Sequence, residues 1–146
     1  MSRVPVVAGV LAACLSLAAC GESPEDEARD DGERVGQATR ALYVAATPED
    51  AQKAADELRA AVNELGADTR ERVRDQVDVQ SKSLTNAVDA YRRGGTATTS
   101  GGVEDARENL REAVQDIAAQ ADSFRSGNDS VANEFWRGFE DGFDNV

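Results

Sequence analysis

Along most of the chain apolar residues recur every three or four positions, the spacing that gathers them on one side of an α-helix. The clearest case runs through Ala51, Ala54, Ala55, Leu58, Ala61, Val62 and Leu65. Thr47 stands before it as an N-cap, Pro48 in its first turn, Glu49 and Asp50 at the positive end of its dipole, and Gly66 just past its end. A longer helix opens at Asp68 or Thr69 and carries Val73, Val77, Leu84, Ala87, Val88 and Tyr91 inward before Arg92, Arg93, Gly94 and Gly95. Gln80 and Ser81 occupy its expected inward turn, which predicts a polar layer or a kink. Val103, Ala106, Leu110, Ala113, Val114, Ile117, Ala121 and Phe124 form the best heptad pattern, stopped by Gly127 and Asn128. Asp129 or Ser130 then caps a short helix through Phe143. No strand signal survives beyond Val77 and Val79.

The first helix is harder to delimit. A stable start is expected near Glu33, with an end at Ala46. Ser23, Pro24 and Asp26 offer an earlier cap, with Ala28, Val35, Ala38 and Leu42 at heptad spacing. The Gly- and Thr-rich stretch from Gly94 to Gly102 reads as a flexible connection. The fold expected is all-α: a small Ala-rich antiparallel helical bundle of about four helices plus a short aromatic C-terminal helix, on an acidic tether.

Ahead of this pattern, Arg3 precedes an uncharged, mostly apolar run from Val4 to Ala19, followed by the acidic stretch beginning at Glu22. As a helix that run would reach about 24 Å, short of a hydrocarbon core of about 30 Å, so it reads as a secretory signal rather than a permanent span. It ends in Leu17-Ala18-Ala19-Cys20, which resembles the lipobox of bacterial lipoproteins at all four positions. The resemblance implies that the Cys20 thiol takes a diacylglyceryl group and that cleavage before it removes residues 1–19. Cys20 then becomes the lipid-bearing first residue, held on the extracytoplasmic face of the cell membrane. Cys14 leaves with the signal, so no disulfide is expected. Residues 20–33 read as the lipidated Cys and an acidic tether, and residues 34–146 as the helical bundle domain.

The chain starting at Cys20 has 127 residues, 28 acids and 15 bases, a formal charge of −13. Nucleic acid is a poor partner for such a surface. Only 21 of those 127 residues are Val, Leu, Ile or Phe, so a bundle of marginal stability is expected, with Leu110 and Ile117 central. His is absent and no free thiol remains, which removes imidazole bases, Cys nucleophiles and structural zinc. The Glu22–Glu33 acids and Glu140, Asp141 and Asp144 lack the spacing of a calcium loop and read as solvated faces. Ser81-Lys82-Ser83 places its groups on different sides of a helix and does not form a catalytic pair. No catalysis, metal or cofactor is expected.

Four of the seven aromatics cluster near the C-terminus. Phe135, Phe139 and Phe143 recur every fourth residue with Trp136 beside them, which makes one broad apolar face. Gly138 and Gly142 weaken that helix by about 1 kcal/mol each relative to Ala and make sense where another helix approaches closely. The face is expected to cap the hydrophobic end of the bundle or, as a candidate interaction face, to dock a partner. The expected function is that of a lipid-anchored, non-catalytic envelope protein presenting its bundle to a protein partner or to another copy of itself. The alternative is a carrier that holds a lipid or other apolar ligand between its helices.

Overall fold

The computed structural model of the chain describes residues 23–95, 100–125 and 127–145. They form five helices: α1 (Pro24–Val44), α2 (Pro48–Asn63), α3 (Ala67–Gly95), α4 (Ser100–Arg125) and α5 (Ser130–Asp144). No strand occurs among the described residues, and the all-α bundle expected from the periodicity is what forms. Residues 1–22, which contain the expected signal and the lipobox-like residues, lie outside the described residues.

Local chemistry sets the helix starts. The Ser23 hydroxyl accepts the Asp26 N–H at 3.3 Å, with Pro24 in the first turn and Glu25, Asp26 and Glu27 at the positive end of the dipole. Thr47 caps α2 in the same way through the Asp50 N–H at 3.1 Å. Asp129 caps α5 by accepting from both Val131 and Ala132. Two expected boundaries move. The first helix starts at Pro24 rather than near Glu33, so residues 24–33 are packed helix and not tether. The glycine-rich connection also shortens, because α3 continues to Gly95 and α4 begins at Ser100.

Helices α1, α3 and α5 run in one direction and α2 and α4 in the other. At the lower end, where α1 starts, the Gly66 N–H before α3 reaches the Asp31 carboxylate at 2.9 Å, and Arg72 of α3 pairs with Asp129 at 2.7 Å. At the upper end the Tyr91 hydroxyl of α3 donates to the Ala46 carbonyl at 3.1 Å, just past the end of α1. Successive helices are therefore antiparallel, as expected. A closed up-and-down arrangement of five must nevertheless bring its first and last members together in parallel, and α1 and α5 form the most extensive helix pair in the molecule. Helix α1 also touches α2, α3 and α4, which makes it the hub.

The parallel pair is built on four glycines. A Cβ placed on Gly32 would fall on the Phe135 carbonyl oxygen, and one on Gly36 on that of Phe139. In return, Gly138 faces the Arg29 carbonyl and Gly142 the Glu33 carbonyl. The two backbones thus meet with no side chain between them, at spacing i, i+4 on both helices. Contacts this close favour Cα–H to carbonyl attraction and dense dispersion packing. Arg29 pins the outer edge of the seam, 2.9 Å from Asp141 and 3.9 Å from Glu134.

Around the hub lies a core of Leu42, Leu58, Val73, Leu84, Val88, Leu110, Val114 and Ile117, all buried. Asp31 is also buried, satisfied by the Gly66 amide and flanked by Arg34 at 3.8 Å. The polar turn of α3 becomes an interior polar layer: Gln80 is buried and, with Thr39, lines a small void against Val35, Leu58 and Phe139. The Thr39 hydroxyl is satisfied by the Val35 carbonyl at 2.8 Å.

Replacing Gly138 by Ala should destabilise the protein by about 1–3 kcal/mol, against the gain of about 1 kcal/mol that helix propensity alone predicts. A chemical-denaturation midpoint that rises in Gly138→Ala would disprove the backbone contact. Leu110→Ala should cost about 2–5 kcal/mol by leaving a cavity; a thermal melt unchanged by that substitution would place Leu110 outside the core.

Candidate functional site

Three of the four residues in the candidate interaction face are interior. Phe135, Trp136 and Phe139 are each no more than 1% exposed, and Phe143 is half-buried at the upper edge. The same helix face that presents them turns Gly138 and Gly142 toward α1, so the aromatic stripe is drawn inward as the seam closes. Phe135, Trp136 and Phe139 therefore pack the bundle interior, while Phe143 stays partly accessible at its edge. Cys20, Leu17, Ala18 and Ala19 lie outside the described residues.

The rings form a continuous line. Phe124 of α4 stacks at a tilt on Trp136, with centroids 4.9 Å apart. Trp136 meets Phe135 and Phe139 edge to face at 4.9 and 5.5 Å, and Phe139 stacks on Phe143 at 6.2 Å. Phe143 in turn meets Tyr43 of α1 edge to face at 6.3 Å. These are the preferred geometries of aromatic quadrupoles, each adding about 0.5–1.5 kcal/mol beyond area burial. A chain poor in Leu and Ile thus obtains much of its apolar volume from six aromatic rings.

The line ends in a cationic group that the periodicity did not single out. The Arg40 guanidinium lies 5.1 Å from the Tyr43 ring and 5.5 Å from the Phe143 ring, while Arg111 of α4 lies 5.8 Å from the same Tyr43 ring. Gln115 donates to the Tyr43 hydroxyl at 3.2 Å. Arg40 and Arg111 are 71 positions apart in the sequence and meet only because α4 packs beside the end of α1. The rings in the line were legible as an apolar stripe, but nothing in the sequence spacing links these two arginines.

The acidic C-terminal group expected to be a solvated face is partly engaged in ion pairs: Glu140 with Arg125, and Asp141 with Arg29. Burial raises the Glu140 carboxyl above its ordinary range, against the lowering effect of Arg125. At the lower end Asp129 is held below its ordinary range, first by the hydrogen bond from Arg72 and then by the Ala132 amide. Among the described residues no group of three or more His, Cys, Asp or Glu is placed to hold a metal ion. The apolar void beside Gln80 measures about 10 Å³, and the clefts of about 630, 510 and 370 Å³ are open grooves lined largely by polar and charged residues. Among the described residues none of these cavities is an enclosed apolar pocket of the roughly 300–1,000 Å³ that usually holds a small ligand. No described helix is long and apolar enough to cross a membrane.

This fold defines the class: a five-helix up-and-down bundle closed by a parallel glycine-packed pair. Comparison with protein-family models, with curated proteins and with solved structures returns no match for this chain.

The Asp129 shift sets the sign of one pH effect. A carboxyl lowered in the folded state stabilises the fold above its unfolded pKa, and that contribution is lost as pH falls through the folded value. Glu140 acts in the opposite sense, its raised value favouring the fold at lower pH and losing that contribution as pH rises. The melting-temperature gap between wild type and Asp129→Asn should therefore be present at neutral pH and shrink as acid passes below the ordinary Asp range. A gap that stays constant through that range would refute the Arg72 linkage.

Proposed function

We propose that the protein is a lipid-anchored, non-catalytic envelope protein, attached through Cys20 to the outer face of the cell membrane and presenting its helical bundle to a protein partner. The observation that carries this reading is the Leu17-Ala18-Ala19-Cys20 match at the end of an apolar run, four residues before the first helix begins. Four positions separate Cys20 from the first residue of α1, so a protein cleaved before Cys20 would carry its lipid close to the folded domain.

The early start of α1 changes how such an anchor would act. With packed helix from Pro24, the covalent path from Cys20 is at most about 14 Å, in place of an acidic tether of about 40 Å. The bundle is then held close to the bilayer with its lower end inward. That end carries Glu25, Asp26, Glu27 and Asp68, whose repulsion from anionic headgroups limits how closely it settles on the bilayer. A partner would therefore be met close to the membrane, on the sides or upper end of the bundle, since the aromatic stripe is consumed by the core.

Replacing Cys20 by Ser removes the acyl acceptor. The variant is expected to leave the membrane fraction or to accumulate uncleaved, and the wild-type N-terminal peptide to carry the mass of a diacylglyceryl group. A Cys20→Ser protein that is still cleaved and still membrane-bound would overturn the anchor. Crosslinking on intact cells identifies the partner; recovery of the chain alone, with no second protein and no second copy, would overturn the interaction role.

A further inference from the structure

The side of the bundle formed by α2 and α3 carries positive charge that the anchoring role does not use. Two open clefts of about 510 and 370 Å³ run along the seam between these helices and share Asp78 in their walls. Arg59 and Lys82 line the first and Arg70 and Arg74 the second, with Asp78 as the acid. Four bases to one acid reverse the balance of a chain of net charge −12. Arg59 lies 3.5 Å from Asp56 and Arg74 3.8 Å from Asp78, but both pairs are exposed, so either cation can exchange partners at little cost. Lys82 has no carboxylate partner among the described residues. In the wall of the same cleft Val79 is 70% exposed, more than any other large apolar side chain among the described residues.

The outer face of α4 is the converse. Glu104, Glu108, Glu112 and Asp116 are all exposed and stand at i, i+4 in one row about 18 Å long. Like charges at that spacing repel and weaken a free helix. The ion pairs of α4 among the described residues are those of Asp122 and Arg125, further along, so the row is left unneutralised. Arg111, between Glu108 and Glu112 in the sequence, is turned to the Tyr43 ring instead. Helix α3 touches both α2 and α4, whereas α2 and α4 do not touch. The basic clefts and the acidic row therefore lie on different sides of α3, and one chain cannot bring its own pair together.

We propose that the α2–α3 clefts take the acidic row of α4 from a second copy of this chain. Arg70, Arg74 and Lys82 fall on an i, i+4 row that is also about 18 Å long. A second copy fits better than an unrelated acidic protein, because both halves of the contact, matched in charge and length, stand exposed on the same molecule. The contact would also cover Val79. Because the two patches differ, association is head to tail and continues copy by copy into a ring or a row. Copies held by their lower ends share one orientation on the bilayer, and head-to-tail association about an axis normal to it preserves that orientation. A second copy is thus the partner in the proposed interaction role; the assignment rests on that role and not on the lipid.

The chain has two lysines, Lys53 and Lys82, which makes a zero-length carbodiimide crosslink between lysine and carboxylate informative. Light and isotope-labelled copies of the full chain, in non-ionic detergent with micelles in excess, are mixed and crosslinked at low ionic strength. Mixed light–heavy dimers joined from Lys82 to the acids of α4 are expected, and they should be lost as salt screens the charges. Sedimentation of the same mixture reads the dissociation constant. Lys82→Glu and Glu112→Lys should each weaken association at least about tenfold, and the two together in one chain should restore it. Both positions are exposed, so helix content by circular dichroism should be unchanged in all three variants. A chain that stays monomeric, Lys82 crosslinks found only within one copy, or charge reversals without effect and without mutual rescue would overturn the contact. Capture of a second protein on cells with no second copy would overturn self-association and leave the interaction role standing, while membrane release of Cys20→Ser bears on the anchor alone.

Discussion

The backbone-to-backbone contact between α1 and α5 is the constraint on which the rest of the bundle depends. Gly32, Gly36, Gly138 and Gly142 each leave room for a carbonyl of the opposite helix, and a methyl group at any of them would have to push the helices apart. The cost of four helical glycines, about 1 kcal/mol each in intrinsic propensity, is offset only if the approach is realised. The approach in turn brings Phe135, Trp136 and Phe139 inward, because they share a helix with two of the glycines. One seam thus joins the ends of the chain, closes the bundle and seats its largest side chains.

Parallel closure also sorts the charges. Three helix N-termini come together at the lower end, and the acids of that end sit in their first turns or cap them: Glu25, Asp26 and Glu27 on α1, Asp68 on α3, Asp129 before α5. The last turns of α1, α3 and α5 come together at the other end, with Arg92 and Arg93 in that of α3 and the first-turn acids Glu49 and Asp50 of α2 beside them. The lower end is thus acidic, and the upper end mixes acids, among them Glu49, Asp50 and Asp144, with arginines. The proposed anchor would hold the acidic end toward the bilayer and turn the mixed end outward.

Much of the architecture was legible because it rests on local rules. Thr47 and Asp129 cap the helices they were expected to cap, and Leu110, Val114 and Ile117 are buried where the heptad spacing placed them. The early turns of α1 were not legible as core. Their buried face consists of Ala28, Asp31 and Gly32, which carry almost no hydrophobic signal. Asp31 is tolerated there because the Gly66 amide, 35 residues away, satisfies it, and Gly32 because a carbonyl of α5 occupies the space a side chain would fill. In both cases the reason for burial lies on another helix or loop.

The candidate site divides in the same way. The resemblance of Leu17-Ala18-Ala19-Cys20 to a lipobox is a contiguous match of four residues and is readable without any structure. The aromatic stripe was readable as apolar, and Gly138 and Gly142 marked a close helix approach, but the identity of the neighbour was not contained in α5. Whether that stripe faced solvent or core depended on Gly32 and Gly36, more than a hundred positions earlier. The meeting of Arg40 and Arg111 on Tyr43 likewise follows from how α1 and α4 lie against each other. Periodicity and capping act within a few turns, so the sequence by itself determined the helices, their inward faces and the signal-like N-terminus. Which helices became neighbours is a matter of complementary surfaces distant in the chain, and only the tertiary structure decided that.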